Sequence, residues 1–151
     1  MRLTFDTDVI VAALRSRTGA SNALLHTLRE GQLEAVASAP MLLEYEAVLM
    51  RPEQRQVTGM SVEEVGFFLD GLAALLLPVV PYFLWHPLLR DPDDEMVLDA
   101  AVNGRADAII TFHVQDFLPE ARQFQLEVWT PHEASRPRVG TAWPPAENPA
   151  R

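Results

Sequence analysis

Short strand-like runs alternate along this chain with longer stretches of helical spacing, each bounded by Pro, Gly, Ser or Asn. "RLTF" predicts a strand ending at Asp6; the apolar "VIVAALRS" beyond it is too long for the same strand and predicts a helix after a turn over Asp6 to Asp8. "GASNALLHTLREGQ" sets Ala23, Leu24 and Leu28 at helical spacing between Ser21 as N-cap and Gly31 as C-cap. "LEAVAS", Leu33 to Ser38, predicts a second strand. "SAPMLLEYEAVLMRP" predicts a helix capped by Ser38, with Pro40 in its first turn, Glu44 inside it and Pro52 past its end. A further helix starts at Ser61, where Glu64 is placed for a capping box, and reads mostly as core despite Gly66 and Gly71.

The most apolar run, "GLAALLLPVVPYFLW", is shorter than the roughly 20 residues of a membrane span. Pro78 and Pro81 interrupt it, so it predicts a buried helix leading into a loop or edge strand. In "LRDPDDEMVLDAAVNGRADAIITFHVQDF", Asp91 before Pro92 opens a helix with Met96, Val97, Ala100 and Ala101 on its apolar face, and Asn103-Gly104 stops it. "DAIIT" predicts a strand ending at Thr111, followed by a helical turn around Asp116 and Phe117 and a last strand in "QLEVWT". Alternating strands and helices predict an α/β fold whose mostly parallel sheet is covered on both faces. Ligands in such folds sit at the carboxyl ends of the strands.

At 151 residues with 48% hydrophobic content, the chain suits one domain over residues 1–130, and the proline-rich 131–151 reads as a flexible tail. Without cysteine there is no disulfide framework and no thiolate metal or redox site. The N-terminus lacks a secretory pattern, so a cytoplasmic protein with no membrane span is expected. The formal net charge is -9 and every basic residue is Arg, which argues against a broad basic nucleic-acid surface and excludes lysine chemistry.

That acidity directs attention to where the carboxylates fall. Asp6 and Asp8 follow the first strand, and Asp116 follows the strand ending at Thr111; Asp94 sits in the first turn of the helix before that strand, and Glu44 in the helix after strand two. All can face one sheet edge. Clustered carboxylates repel and raise each other's pKa unless a cation compensates, and an all-oxygen set suits Mg²⁺ or Mn²⁺. Each residue also has a purely local reading. Asp91 and Asp94 make a helix N-cap pair, Glu44 a solvated helix residue, Asp116 a turn cap, and Asp8 a cap for a helix beginning at Val9. Thr7 and Thr111 can orient a ligand or satisfy backbone groups. His113 shows no ligand spacing with His26, His86 or His132.

"FDTDVIVAAL" resembles the opening of the PIN-domain family, "SAPMLLEYEAVLMRP" its second block, and "RDPDDEMVLDAAVNGRADAIITFHVQDF" its third and fourth. The likeness runs from about Leu3 to Trp129 and is nearest to the toxin components of bacterial toxin–antitoxin systems, the VapC-like proteins. It implies a three-layer α/β/α sandwich with a Mg²⁺- or Mn²⁺-dependent ribonuclease site. By position, Asp6, Glu44, Asp94 and Asp116 are its core acids and metal ligands, with Asp94 preferred to Asp93 or Glu95. An RNA substrate, an antitoxin partner and a homodimer are further implications. Two positions depart from the pattern: Asp8 stands where Asn is usual, and can add a metal ligand; His113 stands where Asn or Asp is common. With the chain so acidic, Arg15, Arg17, Arg51 and Arg90, or a dimer partner, are left to contact phosphate.

Two other readings compete. "FDTD" also resembles the nucleophile and acid pair of haloacid-dehalogenase-like phosphatases, with Asp6 phosphorylated and Asp8 as acid. That family and receiver domains both expect later residues that differ from those here, a lysine among them. A non-catalytic PIN-fold binding module is the third reading.

Overall fold

The computed structural model describes residues 1–80 and 88–136. Five parallel strands form one sheet in the order β3-β2-β1-β4-β5: β1 (Arg2–Phe5), β2 (Glu34–Ser38), β3 (Leu77–Val79), β4 (Ala108–Ile110) and β5 (Glu127–Trp129). Leu3, Phe5, Ala35, Val36, Ala108, Ile109 and Ile110 are fully or almost fully buried, as expected of parallel strands covered on both faces. The fold is the expected α/β layer architecture.

Between β1 and β2 lie α1 (Thr7–Arg15) and α2 (Ala20–Arg29); between β2 and β3 lie α3 (Ala39–Leu49), α4 (Pro52–Thr58) and α5 (Val62–Leu75). Next comes α6 (Pro92–Asn103), then β4, the short α7 (Val114–Phe117), a 3-10 turn at Glu120–Phe124, β5, and α8 (Pro131–Ala134). The chain steps outward one way from β1 to β3, then crosses to β4 on the other side of β1. Right-handed crossovers therefore put α1–α5 and α6 on opposite faces, and β1 and β4 flank the point where the order reverses.

Several local expectations are corrected. The N-cap of α1 is Asp6, not Asp8, because the helix starts at Thr7 rather than Val9. Gly19 caps α2 and Ser21 is buried within its first turn; Glu30 is the C-cap, and Gly31 follows at φ +76. Pro52 opens a helix of its own, α4, as well as ending the previous one. The capping box of Ser61 and Glu64 is present, but α5 is less buried than its composition implies: Val65, Leu69 and Leu72 face inward while Phe67 is 84% exposed. An outer-layer helix can bury only one stripe, however apolar the rest. Pro78 sits in β3, which among the described residues pairs with β2 alone, the edge position where a missing N–H is tolerated.

Gly104 ends α6, but in right-handed geometry; the left-handed residue is Arg105, at φ 53. What requires glycine at 104 is close approach: a Cβ would lie 2.8 Å from the Ala100 carbonyl, 2.8 Å from Val36 Cγ2 and 2.9 Å from Val79 Cγ2. The start of the expected tail folds back as α8, with Pro131 and Ala134 buried against β5 and α2. The expectations for Pro81, Trp85, His86 and residues 137–151 lie outside the described residues.

Candidate active site

The carboxyl ends of β1 and β4 adjoin, and their side chains are tied together there. The Asp6 backbone N–H continues the sheet by donating to the Ile110 carbonyl at 2.9 Å. As N-cap of α1, Asp6 accepts the Thr7 N–H on Oδ1 at 2.8 Å, while its Oδ2 accepts the Thr111 hydroxyl at 2.7 Å. Thr111 is fully buried, and its Oγ1 accepts the His113 N–H at 3.0 Å. Asp6 is thus fixed by two donors although only 9% exposed. Burial pushes its carboxyl above the ordinary range and the Asp8 charge adds to this, against the lowering effect of the Thr111 and Thr7 bonds.

An open cleft of about 640 Å³ lies over this junction. Asp6, Glu44, Asp94 and Asp116 all line it, and so do Thr7, Asp8 and His113; Thr111 lies buried beneath, bonded to Asp6. Glu44 comes from α3, whose position is secured next door by Tyr45: this fully buried hydroxyl donates to the Phe5 carbonyl at the end of β1. Asp94 comes from the first turn of α6, where the Asp91 N-cap accepts the Asp93 N–H at 2.9 Å. Glu95, the next acid, is used elsewhere, accepting the backbone N–H groups of Leu88 and Leu89.

The electrostatics register how crowded the acids are. The Asp94 carboxyl is pushed up to about 6 from 3.8, first by partial burial and then by the charges of Asp6, Asp91 and Asp116. Glu44 is raised by burial and by Asp93, while Arg51 pulls it down. Asp8 and His113, the two departures from the family pattern, meet each other: Nε2 lies 2.9 Å from Asp8 Oδ2, and this bond raises the imidazole pKa. Arg15 and Arg51 line the cleft, whereas Arg17 and Arg90 do not.

A family model for the PIN domain matches residues 2–115. The chain belongs to the PIN-domain family. No curated protein and no solved structure gives a match. PIN domains are in general nucleases, hydrolases of nucleic-acid phosphodiester bonds, and generally use divalent metal ions. Membership takes the Asp6–Asp8 pair out of the dehalogenase-like setting. Asp116, one residue past the matched segment, still lines the same PIN-domain cleft as Asp6.

Among the described residues no three His, Asp or Glu side chains already converge into a metal cage. The donor chemistry nonetheless suits a hard cation: the cleft offers carboxylate oxygens whose ionisation is suppressed first by burial and then by their neighbours' charge. Mg²⁺ commonly takes only one or two carboxylates and completes its shell with water, so a preformed cage is not required. No helix among the described residues is long and apolar enough to cross a membrane.

Sequence reading missed Asp91, Asp93, Gln54 and Phe112 as cleft residues, and Tyr45 as the anchor of α3. The Asp-Pro-Asp-Asp run carried a signal for the first two, since every side chain in a first helical turn lies near the helix mouth. Nothing local announces Gln54 or Phe112.

Proposed function

We propose that this PIN domain is a metal-dependent ribonuclease using Mg²⁺ or Mn²⁺, and the toxin component of a toxin–antitoxin pair. The observation that carries the reading is that Asp6, Glu44, Asp94 and Asp116 line one cleft at the reversal of the sheet, where burial first and then the charges of Asp6, Asp91 and Asp116 raise the Asp94 carboxyl. Such repulsion costs the isolated fold and is relieved by a bound cation.

In this reading Asp6, Asp94 and Asp116 hold the ion, Glu44 completes the first shell or bonds to its waters, and Asp8 is an additional ligand or a support. When bound, the ion neutralises the phosphodiester and supplies an activated water nucleophile. The chain's own residues do the rest. Thr7 and Thr111 fix the Asp6 carboxylate in one orientation, so that it is aimed before ligand arrives. Arg15 and Arg51 stand in the cleft to meet phosphate, a local remedy for a net charge of -9. His113, held by Asp8, places its imidazole ring beside the acids.

The toxin assignment rests on the family resemblance and brings with it an antitoxin and a homodimer. An apolar groove of about 760 Å³, lined by Leu25 of α2, Phe67 and Leu75 of α5, and their neighbours, supports the idea that this protein meets a protein partner.

The test incubates the purified chain with mixed single-stranded RNAs and, separately, a phosphomonoester, in Mn²⁺, Mg²⁺ or chelator, beside Asp94→Asn. Metal-dependent RNA cleavage that disappears in the variant supports the reading. Phosphomonoester hydrolysis that survives Asp94→Asn but not Asp6→Asn would sink it, and RNA binding with no cleavage in any metal would leave a binding module instead.

A further inference from the structure

Phe112 is an aromatic side chain that the core does not claim. β4 ends at Ile110; Thr111 then turns inward to bond Asp6, His113 bonds Asp8 through its ring, and between them Phe112 is 49% exposed and lines the acidic cleft. Single exposed apolar residues are ordinary on protein surfaces. This one differs in its mounting, because the backbone on either side is pinned: the Thr111 N–H donates to the Trp129 carbonyl at 2.9 Å, and the His113 N–H donates to Thr111 Oγ1 at 3.0 Å. The ring is therefore held at the mouth of the cleft, with Arg15 and Arg51 lining the same space.

We infer that Phe112 is a stacking platform for an unpaired base of single-stranded RNA, seated beside the phosphodiester that the acidic cleft addresses. The inference rests on the ribonuclease reading and narrows its substrate class. A chain with net charge -9 gains nothing from long-range attraction of RNA, so short-range contacts must supply the affinity. Two arginines and one aromatic face in a single cleft are such contacts, and stacking is worth about 5- to 160-fold in affinity per base. Every base has a π-face, so the platform selects for strandedness rather than sequence. In an A-form duplex those faces are covered by neighbouring pairs, and the ring can reach one only where the strand is unpaired.

The experiment uses the full chain, with Ca²⁺ in the binding arm to neutralise the cleft and Mn²⁺ in the cleavage arm. Wild type, Phe112→Ala and Phe112→Tyr are titrated with a single-stranded oligoribonucleotide, its duplex, and the same strand carrying abasic positions. Phe112→Ala is expected to weaken single-strand binding about 5- to 160-fold, with Phe112→Tyr within about threefold of wild type. The abasic strand should bind wild type about as weakly as the intact strand binds Phe112→Ala, and the loss on cleavage should appear in KM rather than kcat. Because the ring is half in solvent, neither substitution empties the core, and circular dichroism checks that both variants fold.

If Phe112→Ala binds and cleaves single strands like wild type, the platform is overturned while the ribonuclease reading stands. Equal affinity of wild type for intact and abasic strands overturns it too. If wild type neither binds nor cleaves RNA, both ideas fall together, and a ring covered by a protein partner becomes the better account.

Discussion

The acidic cleft and the apolar groove are built in opposite ways. The cleft, about 640 Å³, collects side chains from strand ends and helix starts where β1 meets β4; the groove, about 760 Å³, lies along the flanks of α2 and α5, with Leu14 of α1 at its border. One crowds like charges around a half-buried Asp94; the other leaves Phe67 almost wholly in water. Neither arrangement helps the isolated chain fold. On the proposed reading a cation relieves the repulsion among the acids and a partner covers the apolar surface, so the contrast would separate a site for chemistry from a surface for contact.

The largest effect that would sharpen this contrast is on activity. Asp94→Asn should reduce metal-supported RNA cleavage by about 100-fold or more, since metal-held charge is worth several kcal/mol in the transition state and each 1.36 kcal/mol is tenfold. Phe67→Ser, in the groove, should leave kcat/KM within about twofold, as expected of a surface change remote from the chemistry. If both variants lost activity alike, the two regions would not be separate in function.

Stability should divide differently. Leu72→Ala removes a buried side chain beneath the groove and is expected to cost about 2–5 kcal/mol by thermal or urea unfolding. Thr111→Val, beneath the cleft, strips Asp6 of a charged hydrogen bond and should cost about 1–3 kcal/mol. It should also raise the Asp6 pKa further, because the Thr111 bond is the largest of the influences that lower it.

Smaller still is the pH response. Asp94 binds its proton more tightly folded, at about 6, than unfolded, at 3.8, so the metal-free protein should lose stability as pH rises from about 4 through 6. The group is partly solvated, and after screening the change is about 1 kcal/mol or less. Asp94→Asn should flatten that part of the profile, and Mn²⁺ at pH 7 should raise the Tm of wild type more than that of the variant. A wild-type Tm indifferent to Mn²⁺ and Mg²⁺ would break the cation half of the contrast. Least of all, Asp8→Asn should lower the His113 pKa, read by NMR titration, because the Asp8 bond is the main cause of its rise.

The sheet and its helices were legible because their signals are periodic and local. The Ser38 and Ser61 caps, Pro40, and the Asp91-Pro92 start each act within one turn of chain. The acids were legible for a related reason: strand ends and first turns of helices are the places that face the carboxyl edge of a parallel sheet. The exposure of α5 was not, because composition counts apolar residues without saying how many sides of a helix have neighbours. The Asp8–His113 contact joins positions 105 residues apart in sequence, and nothing local marks Phe112 as a cleft residue; the paired ends of β1 and β4 reveal both.

Gly104 lies at the opposite end of α6 from Asp94. Helix α6 spans 12 residues, a rod about 18 Å long at 1.5 Å per residue, and its far end is seated against Val36 and Val79 with no room for a methyl group. The aim of Asp94 is therefore governed by leverage: a displacement at that seat tilts the whole rod and swings the acid at its tip. A side chain as small as alanine at 104, remote from every group that touches substrate, would detune the cleft from behind.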